Sequence, residues 1–161
     1  MKILVLSDSH GITGLMADVV AKHANDMACV LFLGDYERDC DEISQKFSNL
    51  VFYVVPGNCD FSSDLPEELT LEMGGKKIWM THGHYYGVKS GHERVQAAAE
   101  ARGVDVCLYG HSHVAETFNK NGILFLNPGS ISEPRGYGGK SYAVLEILGD
   151  VVLSKIIEVK G

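Results

Sequence analysis

Long apolar runs are missing from this chain, and so are low-complexity tracts, internal repeats and Pro/Ser-rich linkers. No stretch approaches the roughly 18 apolar residues of a membrane span. The amino terminus, MKILVLSD, reaches an aspartate at position 8, too early for a secretory leader. No membrane partner is expected. Positive charge is also short: 14 Lys and Arg against 21 Asp and Glu give a net charge of -7. Wide engagement of a nucleic-acid backbone needs Lys and Arg to displace counterions, so nucleic acid is not an expected partner. A small anion drawn to a local positive centre stays open. Cysteine is sparse: Cys29, Cys40, Cys59 and Cys107 form none of the close pairs of a zinc ribbon or a redox dithiol. Cys29 and Cys107 sit inside apolar runs, where a free thiol behaves as a small hydrophobe. A reduced compartment fits, and the cytoplasm is the expected location.

What is present has the size of one domain, 1–161, with 45% hydrophobic residues and 18 glycines. The segments 2–7, 28–33, 50–55, 77–81 and 104–109 are short, apolar and rich in β-branched and aromatic residues between turn residues, which predicts buried strands. Helical patterns lie between them. Thr13 is placed to cap a helix carrying Leu15, Met16, Val19 and Val20 on one face, and Asp39 with Glu42 has capping-box spacing. Ser90 with Glu93 repeats that spacing before an alanine-rich helix that Gly103 is placed to end. Strand–helix alternation predicts parallel crossover units. Asn121-Gly122, Gly149-Asp150 and Gly74-Gly75 predict antiparallel hairpins. The expected fold is α/β, a four-layer α-β-β-α sandwich with two mixed β-sheets.

The strand ends carry the chemistry. Asp8 and His10 follow the first strand, Asp35 the second, Asn58 the third, His82 the fourth, and His111 with His113 the fifth. Ligands of open α/β sheets bind beyond the carboxyl ends of strands, so these seven side chains are expected to converge. Each can give a lone pair to a metal, Asn58 through its amide oxygen. A single tetrahedral ion needs four ligands. Seven, with Asp35 as the natural bridge because a carboxylate has two oxygens, suit two divalent ions about 3.5–4 Å apart. Gly11, Gly34, Gly57, Gly83 and Gly110 adjoin these positions, where sharp turns and close approach are expected. Taken alone, Asp8 or Asp35 reads as a helix cap or turn residue; the set together reads as a metal site. His23 is expected to be exposed near the end of the first helix, and His92 to sit in the first turn of the third. His84 is a candidate pocket wall, and Arg135 stands on a glycine-rich loop where a phosphate or an acidic neighbour is its expected contact.

In order and spacing, DSH at 8–10, GD at 34–35, GNCD at 57–60, THGH at 81–84, GHSH at 110–113 and NPGS at 127–130 resemble the calcineurin-like metallophosphoesterases. The short length and the cysteine in GNCD are similar to the small prokaryotic phosphodiesterase branch of that superfamily. The resemblance implies one metal on Asp8, His10, Asp35 and His113, and a second on Asp35, Asn58, His82 and His111. It implies a phosphodiesterase in which a metal-bound hydroxide attacks phosphorus, with Asp35, Asn58 and His82 in the catalytic machinery and Asn58, His84 and Arg135 facing the substrate, a small phosphodiester. It also implies Mn ahead of Fe, Ni or Zn, since mixed oxygen and nitrogen donors admit all four. Many relatives place a histidine after the ligand asparagine to protonate the leaving oxygen; Cys59 stands there instead. A thiol is a weak donor, so less general-acid help is expected, and the other reading of Cys59 is a buried packing residue with no chemical part. A protein-binding scaffold is the rival reading, because the family also resembles a retromer subunit; a phosphomonoesterase or nuclease is the other alternative. Every ligand position here holds a competent ligand type, which favours catalysis. A homodimer is left open.

Overall fold

In the computed structural model, which describes residues 1–160, the chain runs β1 (Lys2–Leu6), α1 (Thr13–His23), β2 (Cys29–Phe32), α2 (Glu37–Lys46), β3 (Val51–Val54), β4 (Glu68–Met73) and β5 (Lys76–Thr81). A 3₁₀ turn (His84–Tyr86), α3 (Glu93–Arg102), β6 (Val106–Leu108), β7 (Glu116–Lys120), β8 (Ile123–Asn127), β9 (Ser141–Leu148) and β10 (Val151–Glu158) complete it. The strands form two five-stranded sheets, ordered β10-β9-β1-β2-β3 and β4-β5-β6-β8-β7. Both are mixed: β1, β2 and β3 are parallel and β9 and β10 antiparallel, while β5, β6 and β8 are parallel and flanked by antiparallel β4 and β7.

Strand residues alternate between two kinds of burial. Ile3, Val5, Leu31, Ile78, Met80, Leu108, Leu126 and Leu145 meet in the layer between the sheets. Their neighbours Leu4, Leu6, Val30 and Phe32 face α1 and α2, packing on Met16, Val19, Val20 and Ile43. Trp79, Cys107 and Phe125 face α3 through Val95 and Ala99. Because both faces of the central strands are covered, their sequences are continuous apolar runs rather than alternating ones. This is the α-β-β-α sandwich expected from the sequence, and the three hairpins turn at Gly74-Gly75, Asn121-Gly122 and Gly149-Asp150 as predicted.

The helix starts differ from expectation. α2 begins at Glu37 behind a left-handed Tyr36, and Asp39, expected to cap it, is instead buried inside its first turn. There its carboxylate accepts from the Ser9 hydroxyl at 2.6 Å and the Gly11 amide at 2.8 Å, satisfying the β1–α1 turn rather than its own helix. α3 starts at Glu93 behind His92, so Ser90 lies outside it, and neither α1 nor α3 has a side-chain cap. Gly103 does end α3 in the left-handed conformation. β3 lies at the sheet edge and is half-exposed, not buried as its composition suggested. His23 is half-buried and bonds the Tyr142 hydroxyl at 2.9 Å, against the exposure expected of it.

The C-terminal ends of β1, β2, β3, β5 and β6 open onto one rim, and the tightest approach there is between the β2 and β3 exits. Gly34 has φ +97°, and a Cβ on it would fall on the backbone of Pro56 and Gly57. Gly34→Ala is therefore expected to lower stability by about 3 kcal/mol or more, from left-handed strain plus overpacking. A urea unfolding series reads the loss directly.

Candidate metal centre

All seven residues singled out at the strand ends meet at that rim. The Nε2 of His10 stands 3.3 Å from Nε2 of His113, 3.5 Å from Asp35 Oδ2 and 3.9 Å from Asp8 Oδ1. On the other side, His82 Nε2 lies 3.5 Å from Asp35 Oδ1, 3.9 Å from Asp8 Oδ1 and 3.1 Å from the amide oxygen of Asn58. The ring of His111 is 5.1 Å from that of His82. Donor atoms of Asp8, His10, Asp35 and His113 all lie within 4.8 Å of one another, and so do those of Asp35, His82 and His111. The two groups share Asp35, whose oxygens face opposite histidines.

The backbone strain is concentrated on the same residues. Of the eight non-glycine residues with positive φ among those described, five are Asp8, His10, Asp35, His111 and His113. Holding such residues in the left-handed region costs on the order of 1 kcal/mol or more each and persists only where surroundings over-determine it. The adjacent glycines divide the remaining work. Gly11, Gly34 and Gly83 have positive φ, as turns were expected to require. Gly57 and Gly110 do not; they are needed because a Cβ would strike the Asp35 carboxylate at Gly57, and the Ser7 hydroxyl and Asp8 carboxylate at Gly110.

Neighbouring groups fix each side chain and decide which atom faces inward. His82 Nδ1–H donates to the Leu33 carbonyl and His113 Nδ1–H to the Glu133 carbonyl, both at 2.6 Å, so each Nε2 lone pair points to the cluster. Asp8 Oδ2 accepts from the Ser7 hydroxyl at 2.5 Å and the His111 amide at 3.2 Å, and the backbone carbonyl of Asp8 accepts from Ser130 and Ser132. Asn127 ties the Gly110 carbonyl and the Ser112 hydroxyl together. Asp60 does the most. Its Oδ1 accepts from the amides of Tyr36 and Glu37, and its Oδ2 from those of Asp35 and Gly57, at 2.7–3.0 Å. One carboxylate thus caps α2 and holds the turn of Asp35, the residue common to both donor groups.

Charge is unbalanced at the centre. Burial would raise the Asp35 carboxyl, but the bond and charge of His82 with the Cys59 amide outweigh it, and Asp35 is held well below the usual carboxylate range. Burial likewise works to lower His82 and His113, and the carboxylates of Asp35 and Asp8 reverse it, leaving both raised. His111 is pushed down to about 4 by burial and by the charges of His82 and Lys89, so it is a neutral donor near pH 7. Asp8 Oδ1 is buried without a hydrogen-bond partner, although His113 Nε2 lies 3.1 Å away. Since Nδ1 of His113 already carries the proton, these are two acceptors face to face, and only a cation or a further proton between them relieves the contact. An orphaned carboxylate oxygen, inward-facing imidazoles and a carboxylate with one oxygen on each side fit a pair of divalent ions.

His84 and Arg135 flank the cluster without joining either donor group. The His84 ring is 5.4 Å from His82 and 6.0 Å from His111, its Nδ1 is buried without a partner, and burial with the charge of His82 lowers its pKa. Arg135 is exposed and anchored by its amide to the His113 carbonyl at 3.0 Å. Among the described residues it has no acidic partner of the kind the sequence left open for it. Cys59 is half-buried, with burial and the Asp35 carboxylate pushing its thiol up to about 11. The sequence reasoning missed Asp60, Asp39 and the serines of the 128–132 loop. Only the presence of Asp60 and Ser130 inside the quoted GNCD and NPGS motifs pointed their way.

Comparison with known proteins agrees with this geometry. The sequence profile of the calcineurin-like phosphoesterase superfamily domain matches residues 1–150, and the chain belongs to that superfamily. It is 36% identical over 161 residues to the probable metallophosphoesterase YsnB of Bacillus subtilis (strain 168), covering 100% of this chain and 93% of that one. It is 26% identical over 170 residues to the phosphodiesterase YfcE of Escherichia coli (strain K12), covering 91% and 88% of the two. Among solved structures, that of a predicted phosphoesterase from Streptococcus pneumoniae TIGR4 superposes with a TM-score of 0.85 at 34% identity, over 98% of this chain and 88% of that one. The family binds divalent metals, and among the described residues no helix is long and apolar enough to cross a membrane.

Asp60→Asn keeps size but turns an NH₂ group toward two of the four amides. We expect it to cost about 2–4 kcal/mol of stability, from lost hydrogen bonds to a charged group, and to lower metal content per chain. Calorimetric melting and elemental analysis of the purified variant check both.

Proposed function

We propose that the chain, acting as one unit over 1–161, is a dinuclear phosphodiesterase for small diesters. In this reading Asp8, His10, Asp35 and His113 hold one ion and Asp35, Asn58, His82 and His111 the other. The observation that carries it is Asp35, whose two oxygens lie 3.5 Å from histidines of separate donor groups. Two divalent cations at such a site supply charge neutralisation at a phosphoryl group and water of lowered pKa. Manganese is the first candidate, with Fe, Ni or Zn accommodated by the same donors. Two names support the ester class: the relatives called metallophosphoesterase and phosphodiesterase.

The chain's own residues then do three things. Asp35, Asn58 and His82 would hold the ions that receive the phosphoryl group, and they are kept in place by Asp60, which accepts from the Asp35 amide, by the Cys59 amide on Asp35 Oδ1 and by the contact of His82 with Asn58. His84, whose ring lies 5.4 Å from that of His82, faces the reacting phosphoryl group, while Arg135, on the loop whose amide bonds the His113 carbonyl, faces the rest of the substrate. Cys59 stands where a leaving oxygen would need a proton, but its raised thiol is a neutral and weak donor. Free cysteines, three of them buried, fit a reducing cytoplasm.

Elemental analysis after purification in Mn²⁺ is expected to find close to two ions per chain, and hydrolysis of bis-p-nitrophenyl phosphate to vanish with chelator and return with metal. Asp35→Ala should cost roughly a thousandfold or more in kcat, the scale of losing a central electrostatic element. A metal-free, inert protein would instead fit the scaffold reading. Weak proton supply at Cys59 gives a second expectation: diesters with aryl leaving groups turn over faster than alkyl diesters, and Cys59→His narrows that gap. Equal rates for both classes in the wild type would remove Cys59 from the account.

A further inference from the structure

On the side of the cluster formed by His111 and His113 lies a cleft of about 400 Å³. Its polar lining is Lys89, His92, Ser112, Glu116 and Arg135. Ser112 stands in the chain between the two histidines, which places the cleft beside the segment that carries them. Lys89 follows the buried Val88 on the loop leading to α3, and the amide of Arg135 is bonded to the His113 carbonyl at 3.0 Å. Two loops therefore bring two cations to one cleft.

What those groups lack decides the reading. Among the described residues, neither Lys89 nor Arg135 has a carboxylate within 4.0 Å. The one carboxylate lining the cleft, Glu116, is already engaged: its Oε1 accepts from the Tyr109 hydroxyl at 2.7 Å and from His92 at 2.8 Å. Ser112 Oγ accepts from the Val114 amide and from Asn127 Nδ2, which leaves its own O–H free to donate. In a chain of net charge -7, a cleft with two unpaired cations and a spare hydroxyl is an unusual local excess of donors and positive charge. A fork-shaped guanidinium and an ammonium point charge suit phosphate oxygens.

We propose that this cleft is a subsite for a second phosphate, and that the substrate class is a phosphodiester carrying an additional phosphate monoester a few bonds from the scissile phosphorus. The proposal rests on the phosphodiesterase reading for the position of the scissile group. Lys89 and Arg135 bind and orient the second phosphate, with the Ser112 hydroxyl donating to it.

The test uses metal-loaded protein and two substrates, p-nitrophenyl thymidylate with and without a phosphate on the free sugar hydroxyl, the sugar serving as a tether. The phosphorylated diester is expected to have a kcat/KM roughly tenfold or more above the plain one, the size of contacts between charged hydrogen-bonding groups. In Lys89→Ala/Arg135→Ala that ratio should fall towards one, while metal content and melting temperature stay as in the wild type. Calorimetric binding of thymidine bisphosphate against thymidine monophosphate gives a readout without turnover. If neither substrate is cleaved, the phosphodiesterase reading fails, yet a bisphosphate preference lost in the double variant sustains the subsite. Equal wild-type affinity for the two nucleotides, or a preference that survives the double substitution, overturns it.

Discussion

Everything at the rim depends on one constraint: two buried carboxylates, Asp8 and Asp35, are held among four imidazoles with one carboxylate oxygen left without a hydrogen bond. Burying such groups is costly unless each is paired or coordinates a metal. The protein satisfies all but the inward-facing atoms. Asp8 Oδ2, Nδ1 of His82 and Nδ1 of His113 are each committed to a neighbour, and what remains uncommitted is the set of lone pairs aimed at the centre. Asp35 Oδ1 is the exception, since it accepts from the Cys59 amide at 2.9 Å.

The double sheet makes this arrangement achievable in a short chain. β1, β2 and β3 of one sheet and β5 and β6 of the other end at the same rim, so five strand exits bring together candidate ligands that are more than 100 residues apart in sequence. Covering helices and the layer between the sheets make these strands rigid. The exits themselves are strained: five of the donors sit at positive φ. Core burial elsewhere offsets that local cost, and the dense acceptor network of Asp60 and Asp39 keeps the turns from relaxing.

The seven donors and the sandwich were legible because each rests on local pattern: an apolar run announces a strand, and the polar residue after it announces its exit. Hairpins at Asn121-Gly122 and Gly74-Gly75 were legible for the same reason, both residues of each turn needing positive φ. Asp60 and Asp39 were not. A carboxylate that accepts amides from residues 23 to 28 positions away looks, in sequence, like any helix cap, and Asp39 was assigned as one. The edge position of β3 was hidden too, because an apolar strand reads alike whether two neighbours or one will pair with it.

Specificity belongs to a different layer of the molecule from chemistry. The donors arise at strand ends and are over-determined, so their chemistry tolerates little change. Lys89, Arg135, His84 and Cys59 stand on the loops around them, where substitutions leave the sheets untouched. Electrostatics sharpens the division: the chain as a whole is acidic, and Lys89 and Arg135 bring positive charge to one cleft. In the proposed reading, a phosphate ester meets the donor cluster at the rim, and the loops around it face the ester's other groups.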